Sequence, residues 1–255
     1  MLVGRQTWTF PSPPKILAGA AIGGKLEGEG PLAADFDRIY QDAWLGKPTF
    51  EQAEQAFLQE TVETAVTKAG LTLGEIDLLF AGDLVNQITS SSFTARQLQV
   101  PYVGLFGACS TSMASLAMAS LAVSSGYARH AVAATVSHYN TAEKQFRNPN
   151  EYGAQKPPTA QWTVTAAGAG VVGPASAEGQ IQVSAATIGK VVDLGCTDPF
   201  DMGSAMAPAA ADTIQRHLED GGVPPDYYDF IFTGDLGKVG RELALTCLLY
   251  TSRCV

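Results

Sequence analysis

Residues able to do chemistry concentrate in one stretch, LFGACSTSMASLAMAS, from Leu105 to Ser120. An apolar run ends there at Cys109, and Ser110 and Thr111 open a row of small residues. A cysteine at a strand-to-helix turn meets free N–H groups and the positive end of the helix dipole, a setting that favours thiolate. Two chemistries suit it. A nucleophilic thiolate can carry an acyl group, provided a base and an oxyanion stabiliser stand beside it. A binding site can use the same N–H groups to cradle an anion. In that case Ser110 and Thr111 add hydroxyls or merely cap the helix, and the thiol offers a polarisable contact to a ring.

Other candidates lie farther off. Asp83 closes the run FAGDL (80–84). It either orients Cys109 or a backbone amide, accepts a ring-nitrogen proton or helps hold a calcium ion, or it simply makes an Asx turn at a strand end. Asn86 and Gln87 are nearby donors. The loop KQFRNPNEYGAQKP (144–157) supplies Arg147, the better bidentate carboxylate clamp, and Lys156, read as a solvated loop charge. His138 ends a predicted strand and is either a structural histidine or a pocket residue. Cys196 is read as a structural loop cysteine. His130, His138 and His217 show no zinc-ligand spacing, so no metal site and no resident cofactor are expected.

The elements that must position these groups follow from composition and pattern. The chain has 255 residues, 46% hydrophobic, with a formal net charge of -9 and an isoelectric point near 4.8. That acidity argues against nucleic acid and anionic lipid as direct partners. The four cysteines form no CxxC pair and read as reduced thiols in a cytosol-like compartment. The opening MLVGRQTWTFPSPP lacks the apolar core of a signal peptide. Gln97–Ala128 carries no charge, yet Pro101, Gly104, Gly107 and Gly126 interrupt it. The pattern predicts a short strand, a tight turn and a helix buried on all sides, not a membrane span.

Strands are predicted at 15–23, 76–82, 102–107, 130–138 and 228–234, with two more inside 163–193 joined around 174–179. Helices are predicted at 49–70, around 91–99, at 110–125 and at 203–220. Thr49 caps the first and Gly70 ends it. Pro208 must sit in the first turn of the last or kink it. The segment 27–49 is a Gly- and Pro-punctuated excursion with a short helix. Apolar, non-alternating strands between helices make an α/β fold around a parallel or mixed sheet.

Two stretches align without a gap at a constant offset: GLTLGEIDLLFAGDL (70–84) and GVPPDYYDFIFTGDL (222–236). Each follows a helix and enters an apolar run, which points to a duplicated α/β half. Ligands favour the carboxyl ends of such strands. The first copy is followed by far more chain than the second, so the second half is expected to be incomplete. The expected division is an N-terminal half, 1–180, and a partial C-terminal half, 181–255.

The runs GRQTW (4–8), AGDLVNQ (81–87), FGACSTSM (106–113), TAEKQFR (141–147), EYGAQKP (151–157), DMGSAMAPAAADTI (201–214) and TGDL (233–236) resemble the stage V sporulation protein AD family, from the start to about Leu245. The resemblance implies a thiolase-like duplicated α/β fold. It further implies a non-catalytic subunit of the SpoVA assembly that binds dipicolinic acid, pyridine-2,6-dicarboxylate, with or without calcium, for uptake into the developing spore. The expected location is peripheral, at the forespore or spore inner membrane, beside integral-membrane SpoVA subunits. Thiolase-fold relatives commonly dimerise, so a homodimer is compatible with it. Cys109, Ser110, Asp83, Thr111, Arg147 and His138 are the ligand-binding candidates. The alternative is an active thiolase- or ketoacyl-synthase-type acyltransferase using Cys109, and a third reading is a structural subunit with a vestigial pocket. Ketoacyl-synthase relatives place a histidine just beyond the strand read here as FIFTGDL, and this sequence has Thr233, Gly234 and Asp235 there with no histidine after them.

Overall fold

The computed structural model describes residues 1–146, 162–179, 181–198 and 200–252. Arg147 and Lys156 lie outside the described residues. In chain order the elements are β1 (Leu2–Val3), β2 (Thr7–Thr9), β3 (Lys15–Gly23), β4 (Arg38–Ile39), α1 (Phe50–Lys68), β5 (Leu78–Gly82), α2 (Thr89–Leu98), β6 (Tyr102–Gly104), α3 (Thr111–Ser124), β7 (Ala131–Ser137), α4 (Tyr139–Phe146), β8 (Ala166–Gly173), β9 (Ile181–Gln182), β10 (Ala185–Thr187), α5 (Met202–Gly221) and α6 (Gly237–Ser252). They form two compact units. The larger starts at Phe10 and takes in Thr163–Ser184. The smaller comprises Met1–Thr9 and resumes at Ala185.

The larger unit is a mixed sheet in the order β4-β3-β8-β7-β5-β6, with β9 beside the start of β3. Strands β5, β6 and β7 run parallel to one another, and β8 is antiparallel to both β7 and β3. Leu79, Ala81, Val132, Ala134 and Val171 face α1, while Phe80, Ala131, Ala133 and Val172 pack with α3 residues Ala119, Ala122 and Val123. Burial on both faces is why these strands read as unbroken apolar runs. Helix α1 begins where Thr49 Oγ1 accepts the N–H of Gln52 at 3.2 Å.

Several expectations need correction. The strand expected to reach 107 stops at Gly104, and Val103 and Phe106 are exposed because β6 is the edge of the sheet. Helix α3 is enclosed around most of its circumference, as expected, with Met113, 64% exposed, the one exposed residue of 111–124. The 27–49 excursion holds two 3-10 turns and β4, its chain broken by Gly28, Gly30 and Pro31. The second strand expected in 163–193 is split, with β9 in the larger unit's sheet and β10 in the smaller's. Of the two expectations for Pro208, a place in the first turn is excluded, because it is the seventh residue of α5.

The smaller unit packs α5 with α6 and carries the antiparallel sheet β1-β2-β10. Asp220 near the end of α5 accepts the backbone N–H groups of Arg5, Gln6 and Thr7 at 3.2, 2.9 and 3.1 Å. Desolvation opposes its ionisation, but those bonds hold its carboxyl below the usual range. His217 bridges Thr187 Oγ1 and the hydroxyl of Tyr228, each at 2.6 Å.

The sequence repeat extends into the backbone at the same 152-residue offset. Helix α1 follows an N-cap at Thr49, and α5 follows one at Asp201. Gly70 and Gly222, just past the two helices, both take the left-handed conformation, at φ 71 and 62. Asp83 Oδ1 accepts from Val85 N, and Asp235 Oδ1 accepts from Gly237 N, both at 2.8 Å. What the second copy lacks is the strand predicted at 228–234. No residue there is in a strand, and Phe230 and Phe232 are 78% and 90% exposed. A strand forms only against a neighbouring strand, and none lies beside this segment among the described residues.

The buried stripe of α1 contains one acid. Glu54 is fully buried, and its Oε2 accepts from Ser90 Oγ at 2.8 Å and Thr141 Oγ1 at 3.1 Å, while Oε1 meets no donor. Burial pushes its carboxyl up to about 8, the charges of Asp83 and Glu51 push the same way, and the two hydroxyls oppose them. The unfolded chain releases this proton near 4.5. The folded state keeps it, so the stabilisation is complete below that pH and is lost as pH rises to the folded value. The loss runs at about 1.4 kcal/mol per pH unit. Denaturant unfolding of wild type and Glu54→Gln at pH 5 and pH 8 tests this. The two slopes of stability against pH should differ by on the order of 4 kcal/mol over that interval, and parallel slopes would show that Glu54 is ionised in the fold.

Candidate functional site

The site lies wholly in the larger unit and grows from the end of β5. A Cβ on Gly82 would collide with the carbonyl oxygen of Leu105 and with Thr111 Cγ2. Only glycine lets the turn before α3 settle against this strand end. Leu105 N donates to Ala81 O at 2.9 Å, which carries the chain past the edge of β6 into the turn.

Ala108 then takes φ 46, a left-handed conformation that costs an L-residue roughly 1–3 kcal/mol and collects at functional sites. Cys109 follows it in a 3-10 turn, Ala108–Ser110, and is exposed. Ser110 N and Oγ both donate to Gly107 O, at 3.0 and 2.8 Å. Thr111 is buried, and its Oγ1 accepts the N–H of Gly107 at 3.1 Å. No side chain caps α3. The structure therefore closes the turn with local bonds, the N–H of Thr111 donating to Ala108 O as well, and sets the positive end of the α3 dipole beside the exposed thiol with no side chain capping it.

Asp83 is buried directly behind this turn. Its Oδ1 accepts from Val85 N, and its Oδ2 accepts from both the N–H and the hydroxyl of Ser91 at 2.7 Å. These bonds make an Asx turn and secure the start of α2. Asn86 and Gln87 lie on the exposed loop between them. His138 is fully buried. Its Nε2 bonds Ala43 O at 2.9 Å, its Nδ1 accepts from Asn140 N at 3.2 Å, and its ring packs on Phe50 and Phe57. These partners require the neutral Nε2–H tautomer, and burial lowers the pKa of the ring against the Ala43 bond and the charges of Glu51 and Glu27. The fold thus gathers Cys109, Ser110, Thr111 and Asp83, and commits His138 to the interior. Arg147 lies outside the described residues.

An apolar trough of about 190 Å³ adjoins the first two turns of α3. Ser112, Met113 and Leu116 line one wall, and Ile16, Ala133 and Gly170 are among the residues of its sheet floor. Among the described residues no cluster of histidine, cysteine or carboxylate side chains suits a metal ion. No described helix is long and apolar enough to cross a membrane.

Two features escape a reading of residue types. Ala108 gives no sign of its left-handed backbone. Glu54 did leave a signal: it sits four residues before Leu58 on the stripe Ala53, Phe57, Leu58, Val62, Ala65 and Val66, where an acid must be buried.

The family model for stage V sporulation protein AD matches residues 4–253. Stage V sporulation protein AD of Bacillus subtilis strain 168 is 50% identical over 242 residues, covering 95% of this chain and 71% of that protein. Among solved structures, a single-residue variant of Xanthomonas campestris OleA superposes with a TM-score of 0.66 at 11% identity, over 94% of this chain and 81% of that one. The 3-oxoacyl-(acyl carrier protein) synthase III of Xanthomonas oryzae gives 0.65 at 13% identity, over 94% and 82%. At such identities these two establish the thiolase-like fold alone. With the family model matched along nearly the whole chain and half of the residues shared with the Bacillus protein, this chain belongs to the stage V sporulation protein AD family.

Proposed function

We propose that this protein is a non-catalytic binding subunit for dipicolinate, acting in sporulation as part of the SpoVA assembly that moves the dianion into the developing spore. The observation that carries the reading is the uncapped N-terminus of α3 beside exposed Cys109. The positive end of the helix dipole suits a carboxylate, and the thiol and the apolar trough beside the first two turns of α3 suit a flat ring. Membership of a sporulation family supports the setting. Arg147 is the proposed cation for the second carboxylate. Peripheral attachment at the inner membrane through integral SpoVA partners, and a homodimer, belong to the same proposal, as does calcium accompanying the ligand.

The acyltransferase reading draws on one observation of its own. An exposed cysteine after a strained left-handed residue, on a fold shared with a 3-oxoacyl synthase, is also the geometry a nucleophile needs. Against it, His138 and Asp83, the two candidate bases, are both engaged by the protein interior.

Calorimetry with dipicolinate, with and without calcium, decides the first reading. Ser112→Pro removes the N–H of the second residue of α3 and should weaken binding about tenfold, with circular dichroism checking that helix content is unchanged. Cys109→Ala and Ser110→Ala should cost less than that. Absence of heat with the wild-type protein, or full affinity in Ser112→Pro, would overturn the assignment. Intact mass after incubation with acyl-CoA decides the second: a lasting adduct lost in Cys109→Ala would establish the transferase.

The Asp83 clasp makes a separate prediction. Asp83→Ala leaves Val85 N–H and Ser91 without their acceptor and should destabilise the larger unit by about 2–4 kcal/mol in urea unfolding. A change under about 1 kcal/mol would show that the clasp does not hold the strand end.

A further inference from the structure

We propose that His138 is an acid-sensitive latch: its neutral ring pins the 42–46 loop and the first turn of α4 to the end of β7, and taking up a proton unlocks both. The ring nitrogens have different clients. Nε2–H donates to the carbonyl of Ala43 at 2.9 Å, and Nδ1 accepts the N–H of Asn140, the second residue of α4, at 3.2 Å. A carbonyl can only accept and a backbone N–H can only donate, so each nitrogen has one role open to it. The carbonyl of His138 takes the N–H of Ala142 at 3.0 Å, the first bond of the helix. His138 is therefore the N-cap residue of α4, with its ring as the cap. The N–H of Tyr139 goes separately to Thr165 Oγ1 at 3.0 Å.

This arrangement admits the neutral ring and excludes the cation. A proton added at Nδ1 would point at the Asn140 N–H and remove the acceptor that caps α4. The ring is fully buried against Phe50 and Phe57, where an extra charge is costly. The charged groups around it have partners of their own. Glu51 of α1 pairs with Lys144 of α4 at 2.6 Å, Glu27 accepts the N–H of Thr165 at 3.0 Å, and Asp42 accepts the N–H groups of Trp44 and Gly46 at 3.0 and 3.4 Å. Burial holds the ring below its ordinary value of 6.5, against the Ala43 bond and the charges of Glu51 and Glu27. Glu54, one turn past Glu51, has its carboxyl pushed up to about 8 and adds no charge below that pH.

Both clients are built to give way. The 42–46 loop is strained, with Leu45 at φ 49 followed by Gly46 at φ 64, and a left-handed leucine persists only where its surroundings force it. Its Trp44 lies stacked on Phe50 with ring centroids 3.8 Å apart, yet is 43% exposed. Helix α4 has 8 residues, too few to hold its shape without a cap and packing. Once the loop lifts and the first turn frays, the ring regains its ordinary value of 6.5. The latch is then complete above that pH, and below it each unit favours the open form by up to about tenfold.

Hydrogen exchange read by mass spectrometry at pH 7.5 and pH 5, corrected for intrinsic rates, tests the latch on the full chain. In the wild type, peptides covering 41–48 and 139–146 should lose protection about tenfold or more at the lower pH, while 56–66 of α1 and 116–124 of α3 keep theirs. His138→Asn places a non-titrating acceptor at the cap and should give equal protection at both pH values. Equal protection of the two segments in the wild type would overturn the proposal, as would loss spread evenly over the larger unit or the same loss in His138→Asn. Nitrogen-15 resonances of the wild-type ring give a check that needs no variant. At pH 7.5 the proton should sit on Nε2 and Nδ1 should be bare, and the opposite tautomer would refute the latch.

Discussion

Three donors converge on Asp83: the N–H of Val85 on one oxygen, and the N–H and hydroxyl of Ser91 on the other. Buried as it is, this carboxylate would be costly without them. With them it fixes where β5 stops, how the 84–88 loop turns, and where α2 begins. The bare backbone of Gly82, one residue earlier, is then held at the distance that admits the carbonyl of Leu105 and the side chain of Thr111. The turn bearing Cys109 is thus seated on a rigid floor. An exposed thiol on a strained backbone needs such a floor, since left-handed Ala108 would otherwise relax.

The duplication shows how much of this arrangement is scaffold and how much is particular to one copy. Both copies keep a capped helix, a left-handed glycine after it and an aspartate that turns the chain two residues on. These are the backbone's own requirements, met with the same local chemistry. The copies part where long-range partners are needed. In the first, the apolar run between glycine and aspartate is β5, flanked by β6 and β7. In the second, the like run has no strand partner among the described residues and displays Phe230 and Phe232. Local signals are therefore repeated faithfully, while strand formation waits on neighbours that the sequence of the run does not contain.

The same distinction governs what the sequence made legible. Strand β3 runs from 15 to 23 as predicted, and α1, predicted over 49–70, runs from 50 to 68, because caps, glycines and unbroken apolar runs are local signals. The Cys109 turn was legible for that reason too: Gly107 and the small residues after it announce a strand turning into a helix. Edge exposure was not, since nothing in YVGLFG says that β6 lacks a neighbour on one side. Side-chain roles were the least legible. Asp83 and His138 look like ligand groups in a list of residue types. Three-dimensional packing supplies each of them with protein partners instead, and only tertiary contacts decide that. Glu54 was legible only through its place on the apolar stripe of α1, where an acid must be buried.

What remains open to a ligand at the turn is backbone and sulfur. The hydroxyl proton of Ser110 is given to Gly107 O, and Thr111 Oγ1 faces inward to Gly107 N–H, so the polar side chains have been used to build the turn. The start of α3 carries no side-chain cap, and the positive end of its dipole is fixed in place with no proton to give or take at neutral pH. Acyl transfer demands a group that takes a proton from the thiol or hands one to a leaving group. Recognition of a carboxylate demands only donors that do not have to reorganise. Asp83 and His138 are turned inward to protein partners, and the turn keeps an exposed thiol beside a helix dipole, the two features on which the proposed binding reading rests.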